Sequence, residues 1–151
     1  MHTNTIESQA MKKLLLPIDG SDASQRSIAY ILEDFNGYSD APEIHLLNIQ
    51  SPLPSGVTKF ISREDVRQYH LEEGGKELAK ARAKLDKAGR KYLHSIVIGQ
   101  PAEAVARYAK AKKIDQIVLG TRRLTAVSGI LLGSVTTKII SATNTPVLLL
   151  K

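Results

Sequence analysis

The sequence contains no cysteine and no tryptophan, and only 5% of its residues are aromatic. The absence of cysteine excludes disulfides, thiolate metal sites and a cysteine nucleophile, and it is compatible with a reducing compartment. The scarcity of aromatic side chains removes the stacking surfaces with which single-stranded nucleic acid is bound. No apolar run reaches the length of a membrane-spanning helix. We therefore expect a cytoplasmic protein without a membrane partner.

Charge and length bound the chain further. Its 151 residues suit one domain, and the formal net charge of +6 favours anionic ligands. The basic residues are dispersed along the chain, so we expect no dedicated nucleic-acid surface. The polar start, residues 1–10, predicts a flexible leader before one domain of residues 11–151.

Several sequence motifs of known chemistry are also missing. The chain has neither the P-loop pattern G-x-x-x-x-G-K-[ST] nor the dinucleotide pattern G-x-G-x-x-G after its first strand. It has no G-x-S-x-G nucleophile elbow. His45 and His94 fall in predicted strands and His70 in a charged helix, without metal-ligand spacing. We expect no catalytic residue and no protein metal ligand.

What the sequence does contain is a regular alternation of short apolar runs with amphipathic segments. The runs predict strands at 12–19, 43–49, 92–98, 115–120 and 146–150. Helical patterns cover 20–35, 62–88, 99–113 and 134–143. Strands rich in Leu, Ile and Val that alternate with helices predict a doubly wound α/β fold, in which a mostly parallel sheet has helices on both faces.

The long pattern at 62–88 places five residues on one apolar face: Leu71, Gly74, Leu78, Ala81 and Leu85. Two adjacent glycines at 74–75 each cost a helix roughly 1 kcal/mol. Their presence inside a helix therefore predicts a bend or a close approach to a neighbouring element.

In a doubly wound sheet, ligands bind outside the carboxyl ends of the strands, where the strand order reverses. The residues at those ends are therefore the candidates for a binding site. They are Pro17, Ile18, Asp19 and Gly20 after the first strand, Ile49 after the second, Gly99 after the third, and Leu119 and Gly120 after the fourth.

A glycine-containing loop follows the fourth strand and leads into the last helix at Gly133 and Ser134. The free N–H groups at a helix N-terminus attract phosphate, and the loop carries Arg122 and Arg123, which can pair with phosphate oxygens. The alternative is that the glycines only serve turns and that Ser134 caps the helix. The residues alone leave both interpretations open.

The segments "LLLPIDGSDASQRSI", "GQPAEAVARYAKAKKIDQIVLGT" and "GILLGSVTTKIISATNTPVLLL" resemble those of the universal stress protein family, in the family's order. The resemblance covers nearly all of residues 11–151. It implies a five-stranded sheet of order 3-2-1-4-5, homodimers, and in ATP-binding members a nucleotide pocket built around G-x2-G-x9-G-[ST]. It also implies a regulatory or sensing role in the stress response.

Carried onto this chain, the motif gives Gly120 as first glycine, Gly133 as third and Ser134 as hydroxyl, with Val135 supplying a further backbone donor. Arg123 stands in place of the second glycine. The resemblance further implies that Asp19, preceded by Pro17, contacts the nucleoside and that backbone groups at Ile49 meet the adenine. The alternative for Asp19 is that it caps the first helix or holds the Gly20–Ser21 turn.

These inferences predict binding of ATP or AMP, with Mg²⁺ accompanying the phosphates and at most slow ATP hydrolysis. In this hypothesis Arg123 supplies charge to a phosphate. The competing hypothesis is a dimeric interaction module whose vestigial pocket is blocked by Arg123. A third is a hydrolase or transferase acting on nucleotides. The C-terminal strand, 146–150, would lie at a sheet edge and pair with its own copy, which removes an exposed apolar edge.

Overall fold

A computed structural model describes residues 12–35, 41–121 and 132–151. The expected leader and residues 122–131, most of the glycine loop with Arg122 and Arg123, lie outside these ranges. Strands and helices alternate as predicted. In chain order they are β1 (Lys13–Pro17), α1 (Asp22–Asp34), β2 (Glu43–Gln50), α2 (Ser55–Thr58), α3 (Arg63–Lys87), β3 (Tyr92–Ile98), α4 (Pro101–Lys112), β4 (Gln116–Gly120), α5 (Ser134–Ala142) and β5 (Val147–Leu150).

The five strands form one parallel sheet of order β3-β2-β1-β4-β5, which confirms the doubly wound fold. The order runs outward from β1 to β3 on one side and through β4 to β5 on the other. The strand order therefore reverses between β1 and β4, and their carboxyl ends mark the position where such folds bind ligands.

The sheet separates two apolar cores. Alternate residues of β1 point to opposite faces, so Leu14 and Leu16 belong to one cluster and Leu15 to the other. The first cluster packs the sheet against α1 and α3, and the second packs it against α4 and α5. Because both faces are covered, every residue of the central strands must be apolar or hydrogen-bonded, which explains their continuous Leu and Ile runs.

Helix α1 begins where the sequence places a capping residue. Ser21 is its N-cap, and its hydroxyl accepts a hydrogen bond from the Ser24 N–H. Ile28 and Ile31 are fully buried against the sheet. The capped start and the apolar spacing together fix where the helix begins and which face it presents.

One residue of the apolar face predicted for α3 is wrong. Gly74, Leu78, Ala81 and Leu85 are buried as expected, but Leu71 is 42% exposed and His70 takes its place in the interior. Positions 70 and 71 flank the stripe on opposite sides, and the packing of α3 on the sheet buries position 70.

The glycine pair in α3 is explained by close packing. A Cβ on Gly74 would lie 2.7 Å from Ile96 Cγ2 and 2.8 Å from Asn48 Oδ1, whereas a Cβ on Gly75 would meet nothing within 4 Å. Helix α3 is continuous through both residues. Gly74 thus lets α3 approach β2 and β3 closely, and Gly75 faces open space.

Two local predictions needed correction. The proline-containing stretch after β2, which the sequence predicts as loop, contains the short helix α2 with Pro54 as its N-cap. Helix α5 has Gly133, not Ser134, at its N-cap, so Ser134 is its first helical residue. No helix in the described part of the chain is both long and apolar enough to cross a membrane.

Candidate ligand site at the carboxyl edge of the sheet

A cavity of about 450 Å³ opens at the carboxyl edge between β1 and β4. This volume lies within the range of small-molecule sites, roughly 300–1,000 Å³. Its walls come from the ends of β1, β2 and β4 and from the starts of α1, α4 and α5. The residues that line it are Pro17, Ile18, Asp19, Ser21, Ala23, Ser24, Leu47, Ile49, Pro101, Val105, Leu119, Gly120, Thr121, Leu132, Gly133, Ser134, Val135, Thr136 and Ile139.

Of the ten residues that the sequence assigns to a nucleotide site, nine line this one cavity, whereas the strand-end candidates Gly20 and Gly99 do not. The nine are Pro17, Ile18, Asp19, Ile49, Leu119, Gly120, Gly133, Ser134 and Val135. The tenth, Arg123, lies outside the described residues. The rule that strand ends meet at one edge therefore brings together residues more than 100 positions apart in the chain.

Asp19 forms the rim of the cavity in a tight turn between β1 and α1. Its Oδ1 accepts hydrogen bonds from the Ser21 N–H, at 3.0 Å, and from the Ser21 hydroxyl, at 2.5 Å. Gly20, between them, has a φ of +80°, a conformation that glycine adopts without strain. Asp19 thus holds the Gly20–Ser21 turn, which is one of the roles that the sequence suggests for it. The cap of helix α1 is Ser21.

The same contacts set the charge of Asp19. Partial burial raises the pKa of the Asp19 carboxyl, but the hydrogen bonds from the Ser21 hydroxyl and N–H outweigh it and bring the pKa below its ordinary value. The rim of the cavity therefore carries a carboxylate at neutral pH, suited to accept hydrogen bonds from ligand hydroxyl or amino groups.

The start of α5 forms another part of the cavity wall. Gly133 is the N-cap without a side-chain capping bond, and the first intrahelical N–H bonded back to it is that of Thr137, at 3.0 Å. The N–H groups of Ser134, Val135 and Thr136 precede that bond and have no intrahelical acceptor. Together with the helix dipole, they form a site that favours negative charge.

Gly120 has a packing role that sequence reasoning missed. A Cβ at this position would lie 1.6 Å from the carbonyl oxygen of Ala23 in α1. The glycine therefore lets the start of α1 pack directly on the end of β4. This contact narrows the cavity between β1 and β4, independently of any ligand.

Sequence reasoning also missed several wall residues. Ser24 and Pro101 come from the starts of α1 and α4, and Val105 and Ile139 from the second core cluster. Pro101 occupies the first turn of α4, and the proline at a helix start was the available signal for a third helix N-terminus at this edge.

Thr121 connects the cavity to the edge of the sheet. Its N–H and its hydroxyl both donate to the Leu150 carbonyl of β5, each at 2.8 Å. Thr121 lines the cavity, so the chain leaving β4 is held by the C-terminal strand before it enters the glycine loop.

The three histidines in the described part of the chain, His45, His70 and His94, do not line the cavity. His45 is buried in β2, where Nε2 lies 2.6 Å from Glu43 Oε1 and Nδ1 lies 2.9 Å from the Tyr108 hydroxyl. His94 is exposed on the edge strand β3. Within residues 12–35, 41–121 and 132–151, no group of three His, Asp or Glu side chains could hold a metal ion.

The fold is that of a doubly wound α/β domain, and its cavity lies at the topological switch point, where such folds bind ligands. The chain belongs to the universal stress protein family, whose model matches residues 11–151. It is 32% identical to the universal stress protein MJ0531 of Methanocaldococcus jannaschii, over 93% of this chain and 82% of that protein. It is 31% identical to a universal stress protein of Thermus aquaticus, over 93% of this chain and 98% of that one.

Solved structures share the fold. That of MJ0577 from M. jannaschii has a TM-score of 0.73 and 29% identity, covering 93% of this chain and 95% of the other. An Arabidopsis thaliana family member with AMP bound has a TM-score of 0.66 at 20% identity, covering 93% and 91%. A universal stress protein in complex with cAMP has a TM-score of 0.65 at 23% identity, covering 94% and 98%.

Proposed function

We propose that this chain is a stress-response regulatory protein that binds an adenine nucleotide, ATP or AMP, in the cavity at the carboxyl edge of the sheet. The observation that carries the proposal is that two groups of opposite preference line one cavity. They are the Asp19 carboxylate and the N-terminus of α5, which has no side-chain cap. A nucleotide has complementary ends, with hydroxyl donors on its ribose and negative charge on its phosphates.

In this proposal each part of the ligand meets a different part of the wall. Asp19 accepts hydrogen bonds from the ribose, and the base lies against Pro17 and the end of β2 at Ile49. The backbone N–H groups after Gly133 and the Ser134 hydroxyl donate to phosphate oxygens. Any Mg²⁺ would be held mainly by the phosphates, and the two family members with bound AMP and cAMP support an adenine ligand for this fold.

The first experiment is a thermal-shift panel with adenosine, AMP, ADP, ATP, cAMP and GTP. A ligand at 100 times its dissociation constant stabilises the folded state by about 2.7 kcal/mol. For a domain of this size that raises the melting temperature by roughly 5–10 °C. No shift with any nucleotide at millimolar concentration would contradict the proposal and favour the interaction module with a vestigial pocket.

Two substitutions then assign the ends of the ligand. Asp19→Ala should weaken adenosine and ATP alike, whereas Ser134→Ala should weaken ATP and leave adenosine unchanged. Asp22→Ala and Ser141→Ala are matched controls, because these residues lie near the site but do not line the cavity. Equal losses of adenosine and ATP affinity in the Ser134 variant would contradict the assignment of α5 to the phosphates.

The role of Arg123 is tested separately. As a source of charge for a phosphate, its replacement by glycine should weaken ATP more than AMP, and more at low than at high salt. If Arg123→Gly instead tightens ATP binding, the arginine obstructs the pocket, as the vestigial-pocket hypothesis requires.

A further inference from the structure

A buried polar cluster lies behind the Asp19 turn, on the face of the sheet opposite the cavity. Asn48, fully buried in β2, donates from Nδ2 to the Ile18 carbonyl at 2.8 Å and to Glu77 Oε2 of α3 at 2.5 Å. Gln50 donates from Nε2 to Asn48 Oδ1 at 2.9 Å and to Glu77 Oε2 at 3.2 Å. A single carboxyl oxygen of Glu77 thus accepts from both amides.

The face on which this cluster lies follows from the alternation of β2. Leu47 and Ile49 line the cavity, so Asn48 between them points to the α3 side. The same side holds Leu78 and Ala81, which follow Glu77 in α3 and belong to the first core cluster. No atom of Glu77 lines the cavity, so this residue can influence a ligand only through its neighbours.

The cluster determines the orientation of one peptide unit. The Ile18 carbonyl and the Asp19 N–H share a planar peptide bond. The Ile18 N–H donates to the Leu47 carbonyl at 2.9 Å and the Ile18 carbonyl accepts from Asn48, so both ends of this residue are fixed by β2. Asp19 is the next residue, so its backbone starts from this fixed peptide unit.

Glu77 also lies near the far side of the turn. A Cβ added to Gly20 would lie 3.4 Å from Glu77 Cα and Cγ. Asp19 is therefore flanked by the Ile18 carbonyl, which Glu77 reaches through Asn48, and by Gly20, which lies close to Glu77. A third residue, Gly74, lets α3 come close enough for this, because a Cβ there would collide with Asn48 Oδ1.

We propose that Glu77 is a positioning residue for the nucleotide site: acting through Asn48 and the Ile18 carbonyl, it holds the Asp19 carboxylate at the cavity rim from the opposite face of the sheet. This inference rests on the proposed function. Glu77 touches no ligand, and its effect on binding passes through Asp19. Removal of its carboxyl group leaves one N–H of each amide without an acceptor, while Asn48 keeps the Ile18 carbonyl and Gln50 keeps Asn48 Oδ1. Asn48 is then held less firmly, and the Ile18 carbonyl and the turn that follows it lose part of their support.

The test compares Glu77→Ala with Glu77→Gln by calorimetric titration with the nucleotide that binds the wild type. Loss of the acceptor should weaken binding about tenfold, the size of effect that outer-shell positioning groups have at other sites. Glutamine keeps an acceptor oxygen and should bind within about twofold of wild type. If the alanine variant fails to fold, Glu77→Asp replaces it, since the shorter side chain withdraws the oxygen. Glu72→Ala, exposed on the same helix, is the control.

Two readouts separate positioning from general loosening of the fold. In an Asp19→Ala background, Glu77→Ala should have no further effect on affinity, because its target is gone. In the ligand-free protein, carboxyl NMR titration should give a higher Asp19 pKa in Glu77→Ala than in Glu77→Gln, because both variants remove the same charge and only glutamine keeps an acceptor oxygen. An equal loss of affinity in both backgrounds, or the same Asp19 pKa in the alanine and glutamine variants, would overturn the inference.

Failure of the proposed function remains distinguishable from failure of this inference. If the wild type binds no nucleotide, the proposed function falls, and the NMR titration alone decides the positioning role. A higher Asp19 pKa in Glu77→Ala than in Glu77→Gln then supports the structural connection between α3 and the turn. Equal pKa values in the two variants overturn it.

Discussion

Gly120 at the end of β4 and Ala23 in the first turn of α1 are in direct backbone contact, so close that a Cβ on Gly120 would lie 1.6 Å from the Ala23 carbonyl oxygen. Backbone cannot move aside as a flexible side chain can. The contact therefore fixes the distance between α1 and β4, and with it the width of the cavity between β1 and β4.

Gly120→Ala should consequently destabilise the protein by about 3 kcal/mol or more, at the upper end of what overpacking costs. The measurement is urea unfolding followed by circular dichroism. Gly99→Ala is the matched control, since Gly99 also follows a strand and a Cβ there meets nothing within 4 Å. It should change the free energy of unfolding by no more than about 0.5 kcal/mol. Similar effects of the two substitutions would mean that α1 does not rest on β4 in this way.

The two adjacent glycines of α3 should respond to alanine with opposite signs. Gly74→Ala places a Cβ against Ile96 and Asn48 and should cost roughly 1–3 kcal/mol. Gly75→Ala meets open space and should stabilise the helix by about 1 kcal/mol, because alanine is the better helix former. Each variant is the control for the other in thermal unfolding. A stabilising Gly74→Ala would contradict the close approach of α3 to the sheet.

Acid should remove a stabilising contribution of Asp19. Because the hydrogen bonds from Ser21 bring the native pKa of this carboxyl below its unfolded value of about 3.9, its contribution is fully present above that pH. It is lost as the pH falls through the native pKa. Glu43, whose pKa is lowered mainly by its hydrogen bond with His45, contributes with the same sign.

The variant Asp19→Asn isolates the first of these contributions. Its free energy of unfolding should fall less steeply than that of wild type between about pH 4 and pH 2. Asp22→Asn, three residues along and outside the cavity, is the control. Parallel curves for wild type and Asp19→Asn would show that the Ser21 hydrogen bonds do not stabilise the charged form.

The C-terminal strand is the proposed homodimer interface, and its backbone offers a direct test. The Pro146 and Leu150 carbonyls accept from the N–H groups of Ile117 and Thr121, so these residues of the β5 segment face β4. Successive residues of a strand direct their backbone groups to opposite sides. The N–H of Val147 therefore points away from β4, toward a second copy.

Val147→Pro removes that N–H and should give a monomer in light scattering at micromolar concentration. Val147→Ala truncates the same side chain but keeps the N–H, and it should remain a dimer. A monomeric wild type would rule out the interface, and a dimeric proline variant would move it elsewhere on the surface.

The features that followed from the sequence are those determined by local pattern and by topology. Apolar runs and helical periodicity give the strands and their order along the chain, and Ser21 gives the start of α1. Because the carboxyl ends of parallel strands meet at one edge, the topology alone predicts that Asp19, Gly120 and Gly133 lie close together.

The features that did not follow depend on how elements pack. Gly120 contacts Ala23, and Glu77 accepts a hydrogen bond from the Asn48 amide. Neither contact can be predicted without knowing where a helix lies on the sheet. The same holds for the burial of His70 in place of Leu71, since a shift of one residue is enough to exchange them. Gly74 was the one such contact that left a trace in the sequence, because a glycine inside a helix is costly without a close neighbour.

Thr121 belongs to two parts of the molecule at once. It lines the cavity, and its two hydrogen bonds to the Leu150 carbonyl attach it to the outermost strand, β5. A nucleotide that orders Thr121 would also order β5, the strand through which a second subunit would pair. If nucleotide binding raises the affinity of the two subunits for each other, dimerisation must raise the affinity for the nucleotide by the same factor. Nucleotide concentration would then be read out as the oligomeric state.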